Sequence, residues 1–421
     1  MKSKVISVIG LGYIGLPTAA MLAQAKTRVI GVDVVPQVVE TINQGKIHIV
    51  EPGLEEIVKT AVEKGYLRAT LTPEPADAFM VAVPTPFFDN YEPDMTYVEA
   101  AVKLIAPVLK KGDIIILEST SPVGSTEQMV SWLRNLRPDL AFPICADDSA
   151  DVYLAYCPER VLPGKVVEEL ISNDRIIGGI TPQCAKLAEE VYKIFVKGEL
   201  LHTNARTAEM SKLTENSFRD VNIAFANELS MICDKLDINV WELIKLANHH
   251  PRVNILQPGA GVGGHCIAVD PWFIVNKTPE QARLIKMARI VNDSKPEWII
   301  DKVNNAVVDF LQNNPGKSIK NVTMACFGLA FKPDIDDLRE SPSMAITLDL
   351  AKKYANQIIA VEPNVGEVPK KLVAANIPLV SLDSGLQADI LVLLVDHQEF
   401  KRLDKQLLQN KVIVDAKGIW K

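Results

Sequence analysis

The segment Pro258-Gly259-Ala260-Gly261-Val262-Gly263-Gly264-His265-Cys266 places four glycines ahead of a thiol. Glycine lets backbone amides approach a ligand closely, and the thiol then stands at that ligand's edge. A lone cysteine is more often a small buried hydrophobe. In a dehydrogenase, however, a thiol can trap an aldehyde as a thiohemiacetal, and a second hydride transfer then leaves a thioester for hydrolysis. Lys212, Asn216 and Arg219 follow i, i+4, i+7 spacing and fall on one helix face. On spacing alone that face suits solvent as well as a ligand. His265 and Cys266 lack the remaining ligands at zinc spacing, so no metal is expected.

A second group lies near the N-terminus. Gly10-Leu11-Gly12-Tyr13-Ile14-Gly15 is a G-x-G-x-x-G between a β-rich run and a helical stretch. Its glycines make the tight turn, admit a pyrophosphate and allow close helix–strand packing. Asp33 ends the next β-rich run, where a carboxylate binds ribose hydroxyls and repels a 2′-phosphate, which favours NAD over NADP. Thr85 in Pro84-Thr85-Pro86, Thr120 and Thr126 follow further strand ends. Their hydroxyls suit either a crevice ligand or ordinary turns and helix caps.

The elements that must carry these residues alternate. Residues 4–9 and 28–32 form a β–α–β unit around a helix over 16–25, and strands follow at 79–83, 114–118 and 152–156. That order predicts a parallel sheet with helices on both faces. Residues 199–250 contain neither Gly nor Pro and space their apolar residues helically: Met210, Leu213, Phe218, Val221, Phe225, Leu229 and Ile232. Helix of this length suits a domain junction or a dimer interface, and equally two ordinary core helices. After a linker at 312–318, strands at 321–327, 357–361, 390–395 and 412–415 with a helix near 342–355 repeat the β–α–β order. The expected fold is α/β: two Rossmann-like doubly wound domains, 1–200 and 312–421, joined by a helical region, 201–311.

The chain has 421 residues, 48% hydrophobic and 23% charged, as an ordinary globular protein of two or three domains does. Its 45 Lys+Arg against 52 Asp+Glu argue against a general nucleic-acid binder. No run reaches the ~18 apolar residues of a membrane span. Lys2, Lys4 and Ala23-Gln24-Ala25 imitate a secretory signal, but the glycines between them are better explained by the nucleotide turn. A reduced, cytoplasmic protein is expected, since six cysteines without a Cys-x-x-Cys pair make no disulfide scaffold.

Taken in order, VIGLGYIGLP, VPTP, ESTSPVGST, CPER, KLTENSFRDVNIAFANE, PGAGVGGHC and GLAFKPDIDDLRESP resemble the UDP-glucose/GDP-mannose 6-dehydrogenase superfamily over essentially the whole chain. The resemblance implies an NAD-dependent, four-electron oxidation of a sugar C6 alcohol to a carboxylate. It implies Cys266 as nucleophile, Lys212 for proton transfer and oxyanion stabilisation, and Asn216 to hold the reacting oxygen and water. Glu159 matches a glutamate proposed as the hydrolytic base, and Asp270 an aspartate that orders the site. Arg160, Val161, Arg219, His250, Arg252 and Gly263 fall where the UDP-sugar substrate is held, with Arg252 reaching across a homodimer. Phe331 and Lys332 match nucleotide-sugar contacts of the second α/β domain, and Arg339 a cofactor contact.

The position before Asp270 is Val269, where UDP-glucose dehydrogenases carry lysine; this, with AYCPERVLPG and NHHPRVNILQPG, points to the N-acetylmannosamine branch. Ala268 stands where many relatives have proline, which loosens the turn after Cys266 without removing a functional group. Two other readings stay open: a sister enzyme acting on UDP-N-acetylglucosamine, UDP-N-acetylgalactosamine or UDP-glucose, and a catalytically idle NAD-binding regulator. An idle binder has no need of Cys266, Lys212 and Glu159 together.

Overall fold

In a computed structural model of the chain, the described residues are 4–88, 90–143, 150–162, 164–264 and 266–420; His265 lies outside them. They divide into two compact units, Met1–Glu215 and Asn216–Lys421.

The first unit is built on eight strands: β1 (Val5–Ile9), β2 (Arg28–Val32), β3 (Leu67–Thr70), β4 (Ala78–Val81), β5 (Ile114–Leu117), β6 (Tyr153–Tyr156), β7 (Arg175–Gly179) and β8 (Leu200–Asn204). Their order is β3-β2-β1-β4-β5-β6-β7-β8. The first six therefore form a doubly wound dinucleotide-type sheet that changes direction between β1 and β4, the place where such sheets open a ligand crevice. Strand residues alternate between two cores. Ala78, Met80, Ile114 and Ile116 join one, while Phe79, Val81, Ile115 and Leu117 join the other. Burial on both faces explains why these strands read as continuous apolar runs. Phe79, fully buried, is worth about 3 to 5 kcal/mol against alanine.

Two expectations need correction. The sheet is not wholly parallel, because β6 and β7 pair antiparallel. Nor does the helix begin at 199: residues 200–204 are edge strand β8, and the helix spans Ala205–Lys235. Absence of Gly and Pro permits a helix without starting one. The start is set by Asn204, whose side chain accepts the Thr207 N–H at 2.9 Å as an N-cap.

In the second unit, β9 (Met324–Phe327), β10 (Ile358–Val361), β11 (Ile390–Leu393) and β12 (Val412–Asp415) form a parallel sheet ordered β10-β9-β11-β12. The same alternation sends Met324 and Cys326 to one core, and Ala325 and Phe327 to the other. The Arg283–Asn313 helix carries Pro296 in its interior. It is tied to the Ala205–Lys235 helix by buried polar groups: Arg289 on Asp220 at 2.6 Å, Asn292 on Asp220 at 2.8 Å and Asn227 on Asn292 at 2.9 Å. Removing one partner strands the other in an apolar interior, so this seam fixes the pairing of the two helices. Among the described residues, no helix is long and apolar enough to cross a membrane.

Candidate active site

The nucleotide turn lies between β1 and the Gly15–Gln24 helix. Gly10 has φ +88° and donates its N–H to Val32 O at 2.8 Å. A Cβ on Gly15 would stand 1.8 Å from Gly10 O, whereas one on Gly12 would meet nothing within 4 Å. The helix start has no side-chain cap. Gly12 thus leaves room for a ligand at a helix N-terminus, and Gly15 for the protein itself. Tyr13 is exposed beside them. Asp33 is half-buried, accepting Leu11 N–H on Oδ2 and Val35 N–H on Oδ1, each at 3.0 Å. These bonds aim its carboxylate at the turn. The residues present fit NAD: an open glycine position, uncapped amides and a carboxylate at the ribose end.

Thr85 donates to Thr120 O at 2.5 Å, which joins the β4 and β5 loops. Thr126 is buried, and its hydroxyl and N–H both meet Glu209 Oε1, at 2.7 and 2.8 Å. Glu209 also takes Gly124 N–H at 2.6 Å. A carboxylate from the Ala205–Lys235 helix therefore caps the Ser125–Leu136 helix, whose own N-cap, Gly124, has no side chain. Local sequence patterns gave no sign of Glu209, because cap and capped helix lie far apart in the chain.

Glu159 follows β6, nearly buried. Its Oε2 pairs with the Arg175 guanidinium at 2.7 Å and its Oε1 accepts Arg160 N–H at 2.6 Å. Arg175 is itself buried, with its guanidinium 5.3 Å from the Tyr192 ring centre. Tyr192 donates to buried Glu118 at 2.7 Å. Burial pushes the Glu118 carboxyl up to about 7, against the pull of Arg175. In the same cluster burial pushes the Cys157 thiol up to about 12, so that thiol is inert at neutral pH. Glu118, Arg175 and Tyr192 escaped the motif reading; a carboxylate, a guanidinium and a phenol on separate strands and helices share no local spacing. Arg160 pairs with Glu215 at 3.1 Å, and Val161 packs on the core.

In the second unit Cys266 is exposed. Its carbonyl accepts Val269 N–H at 3.1 Å and Asp270 N–H at 2.9 Å, so the turn closes with Ala268 in place. Buried Asp270 opens the Asp270–Lys277 helix, where a negative charge is favoured, and accepts the Asn216 side-chain amide at 2.5 Å. Lys212, Asn216 and Arg219 follow one another along the Ala205–Lys235 helix. The glycine loop is held at Gly259, whose N–H donates to Asn227 at 2.9 Å. At Gly263 a Cβ would stand 2.4 Å from Glu340 O and 2.8 Å from Phe331 Cβ; at Gly264 (φ +83°) it would stand 3.0 Å from the Phe331 ring. Gly261 passes the Asn292 carbonyl, which Pro296 deprives of its helical donor. These glycines exist for close packing, and they seat Phe331 against the loop that precedes Cys266 in the chain. Lys332 follows Phe331, and Arg339 is exposed beside Asp337, with its Nε at 2.9 Å. His250 and Arg252 lie exposed in one turn, where Arg252 N–H meets His250 Nδ1 at 3.3 Å.

A doubly wound dinucleotide sheet, a thiol on a glycine loop and a second nucleotide-type sheet define the architecture of a nucleotide-sugar dehydrogenase. Models of the UDP-glucose/GDP-mannose dehydrogenase family match residues 4–196 (NAD binding domain), 206–294 (central domain) and 325–421 (UDP binding domain), and the chain belongs to that family. It is 62% identical over 422 aligned positions, and the full length of both chains, to a UDP-N-acetyl-D-mannosamine dehydrogenase of Escherichia coli K12. It is 57% identical to an NDP-N-acetyl-D-galactosaminuronic acid dehydrogenase of Ralstonia nicotianae, covering 99% of this chain and 96% of that one. The solved UDP-D-ManNAc dehydrogenase of Pyrococcus horikoshii superposes with a TM-score of 0.87 at 37% identity, over 99% of this chain and 96% of that one.

Proposed function

We propose that the chain oxidises the C6 hydroxyl of UDP-N-acetyl-D-mannosamine to UDP-N-acetyl-D-mannosaminuronate, consuming two NAD and one water. The observation that carries this reading is exposed Cys266, on a glycine loop packed against Phe331 and followed by the Asp270–Asn216 pair. Bound NAD supplies the hydride acceptor for each two-electron step. Gly10, Gly12, Gly15 and Asp33 hold it, and Asp33 selects it against NADP. Lys212 takes the hydroxyl proton and its ammonium stabilises the oxyanion. The Cys266 thiolate adds to the aldehyde carbon; loss of the second hydride gives the thioester, and water releases the carboxylate and restores the thiol. Glu159, held by Arg175, accepts the water's proton, while Asp270 orients Asn216 toward the reacting oxygen.

Arg160, Val161, Arg219, His250, Arg252 and Gly263 hold the sugar, and Phe331 and Lys332 hold the nucleotide. Domains at 1–200, 201–311 and 312–421 divide these tasks. The protein works in the cytoplasm as a homodimer joined through its helical region, with Arg252 serving the partner's site. Phe218, Phe225 and Ile232, exposed at seven-residue intervals on the long helix, support that face as the interface. The product feeds a bacterial surface polysaccharide such as enterobacterial common antigen.

Oxidation of UDP-N-acetylgalactosamine is the second reading, favoured by the Ralstonia relative. NADH yield with purified UDP-sugars separates the two: UDP-N-acetylmannosamine should give two NADH per sugar and the highest kcat/KM. Cys266→Ala should bind UDP-sugar normally yet lose at least a thousandfold of uronate formation, on the order of 4 kcal/mol. A near-native rate with two NADH per sugar in that variant would sink the covalent route. No turnover of any UDP-sugar by the unaltered protein would leave the idle NAD-binding reading standing.

A further inference from the structure

The loop after β9 carries Phe331 and Lys332, and its first half is held from two neighbouring strand ends. Leu329 and Ala330 both donate their N–H to Glu362 Oε2, at 2.7 and 3.0 Å. Glu362, just past β10, is buried, and its Oε1 accepts Asn364 N–H at 3.1 Å. The second support is His397, fully buried past β11, with its ring edge-on to Phe400 at 5.3 Å. Its Nε2 lies 3.1 Å from Glu362 Oε2 and its Nδ1 lies 2.9 Å from the backbone nitrogen of Asp334. A backbone N–H can only donate, so Nδ1 carries the lone pair and Nε2 the proton, which it gives to Glu362. Asp334 returns the bond from its side, accepting Gln398 N–H on Oδ1 at 2.8 Å. It does so in the left-handed region, at φ +62°, which aspartate enters more readily than most residues other than glycine.

We propose that His397 is a positioning residue for the nucleotide sugar: as the neutral Nε2–H tautomer it clasps Leu329 to Asp334 between Glu362 and its own Nδ1, and so presents Phe331 and Lys332. The geometry has a direct consequence at the thiol. Phe331 packs on Gly263 and Gly264, just before Cys266 in the chain. A loop released at Asp334 loses that packing and the nucleotide contacts together. The inference rests on the reading of Phe331 and Lys332 as nucleotide-sugar contacts, and it adds a residue that touches neither substrate nor cofactor.

Four variants of the full-length protein test it: His397→Leu, His397→Asn, Asp334→Gly and Lys332→Ala. UDP affinity is measured by calorimetry, KM and kcat with the UDP-sugar, KM for NAD, and amide exchange over residues 329–337. His397→Leu should weaken UDP and raise the UDP-sugar KM about tenfold, with KM for NAD unchanged. Exchange at Leu329, Ala330 and Asp334 should accelerate. His397→Asn puts an acceptor oxygen where Nδ1 stood and should recover most of the UDP affinity, although it lacks the bond to Glu362. Asp334→Gly keeps the backbone conformation and the N–H that His397 accepts, removes the carboxylate that accepts Gln398 N–H, and should weaken UDP about threefold.

Native UDP affinity in folded His397→Leu, alongside weakened binding in Lys332→Ala, would overturn the clasp. So would an Asn variant no better than the Leu variant. Should His397→Leu not fold, His397→Ala takes its place, and native UDP affinity with unchanged exchange at Asp334 in that variant would overturn the clasp instead. If Lys332→Ala binds UDP normally, the nucleotide-sugar reading of this loop fails by itself. Exchange at Asp334 then still decides whether His397 holds the loop.

Discussion

Both sheets leave their first strand by the same turn. Gly10 follows β1 and Gly328 follows β9, with φ of +88° and +87°, and each donates to the last residue of the neighbouring strand, Val32 O at 2.8 Å and Val361 O at 2.9 Å. An acid stands one residue past that neighbour in each case, Asp33 after β2 and Glu362 after β10. Each accepts the N–H after its glycine, Leu11 at 3.0 Å and Leu329 at 2.7 Å. What differs is what surrounds the acid. Asp33 is half-buried next to exposed Val34 and Val35, while Glu362 is closed over by His397, Ala330 and Asn364. The first acid takes one N–H on each oxygen and stays half-buried; the second gathers its donors from three elements of the chain. One βα turn is therefore left open in one sheet and closed over in the other, and the difference depends on side chains the turn itself does not contain.

The largest effect that separates the two turns is expected at the glycines of the first. Gly15→Ala forces a Cβ to within 1.8 Å of Gly10 O, so the turn must move. NAD affinity should fall more than about a hundredfold and the melting temperature with it, while UDP affinity stays native. Gly12→Ala meets no protein atom. It should leave the melting temperature alone and still weaken NAD about tenfold, because its methyl occupies ligand space. Calorimetry with NAD and with UDP on both variants reads this directly. Loss of UDP binding in Gly15→Ala would show that the two nucleotide ends are not independent.

Next in size is the exchange of roles between the acids. Asp33→Ser should narrow the preference for NAD over NADP by roughly ten- to a hundredfold in kcat/KM, since a carboxylate no longer opposes the 2′-phosphate. Glu362→Gln should leave that preference untouched and instead lower stability by about 1 to 3 kcal/mol, because the amide cannot accept from every donor now gathered on the carboxylate. A change of cofactor preference in Glu362→Gln would break the comparison.

What the sequence disclosed and what it hid follow the same division. Gly10 to Gly15, Asp33 and the loop ending at Cys266 were legible because each is a short run whose residue types have few other uses. The strands were legible because burial on both faces leaves unbroken apolar runs. Edge strand β8 was not, since its residues are mostly exposed and its composition suits a helix equally. Arg175 behind Glu159, Glu209 beneath Thr126 and His397 behind Glu362 were illegible for another reason. Each acts on a partner from another element, and no spacing rule spans elements whose packing is not yet known. Residues expected to touch ligand could be named from motifs, whereas those that hold them in place emerged only from the packing.

The smallest effect concerns two buried carboxylates whose environments push them in opposite directions. Glu118 is raised to about 7 by burial, with Glu159 adding to the push and Arg175 and the Tyr192 hydroxyl opposing it; its Oε2 has no hydrogen-bond partner. Burial also pushes Glu362 upward, but the hydrogen bond and electrostatic pull of His397, followed by the Leu329 and Asn364 N–H groups, outweigh it and hold the carboxyl below its ordinary value. The signs follow from linkage. Between the ordinary glutamate value of 4.5 and about 7, folded Glu118 keeps a proton that the unfolded chain has released, so its contribution is full at low pH and is lost as pH rises through 7. Glu362 does the reverse: its contribution is present at all pH above the unfolded value and is lost only as pH falls through its folded value. Glu118→Gln keeps the acceptor for Tyr192 and mimics the protonated acid. It should match the unaltered protein near pH 5 and melt a few degrees higher near pH 8, whereas the deficit of Glu362→Gln should be flat across that range and shrink only in stronger acid. Thermal unfolding of both variants at pH 4, 5 and 8 checks this. Parallel profiles would mean that Glu118 ionises in the folded chain as an ordinary carboxyl does, and the contrast between the two acids would then be one of hydrogen bonding alone.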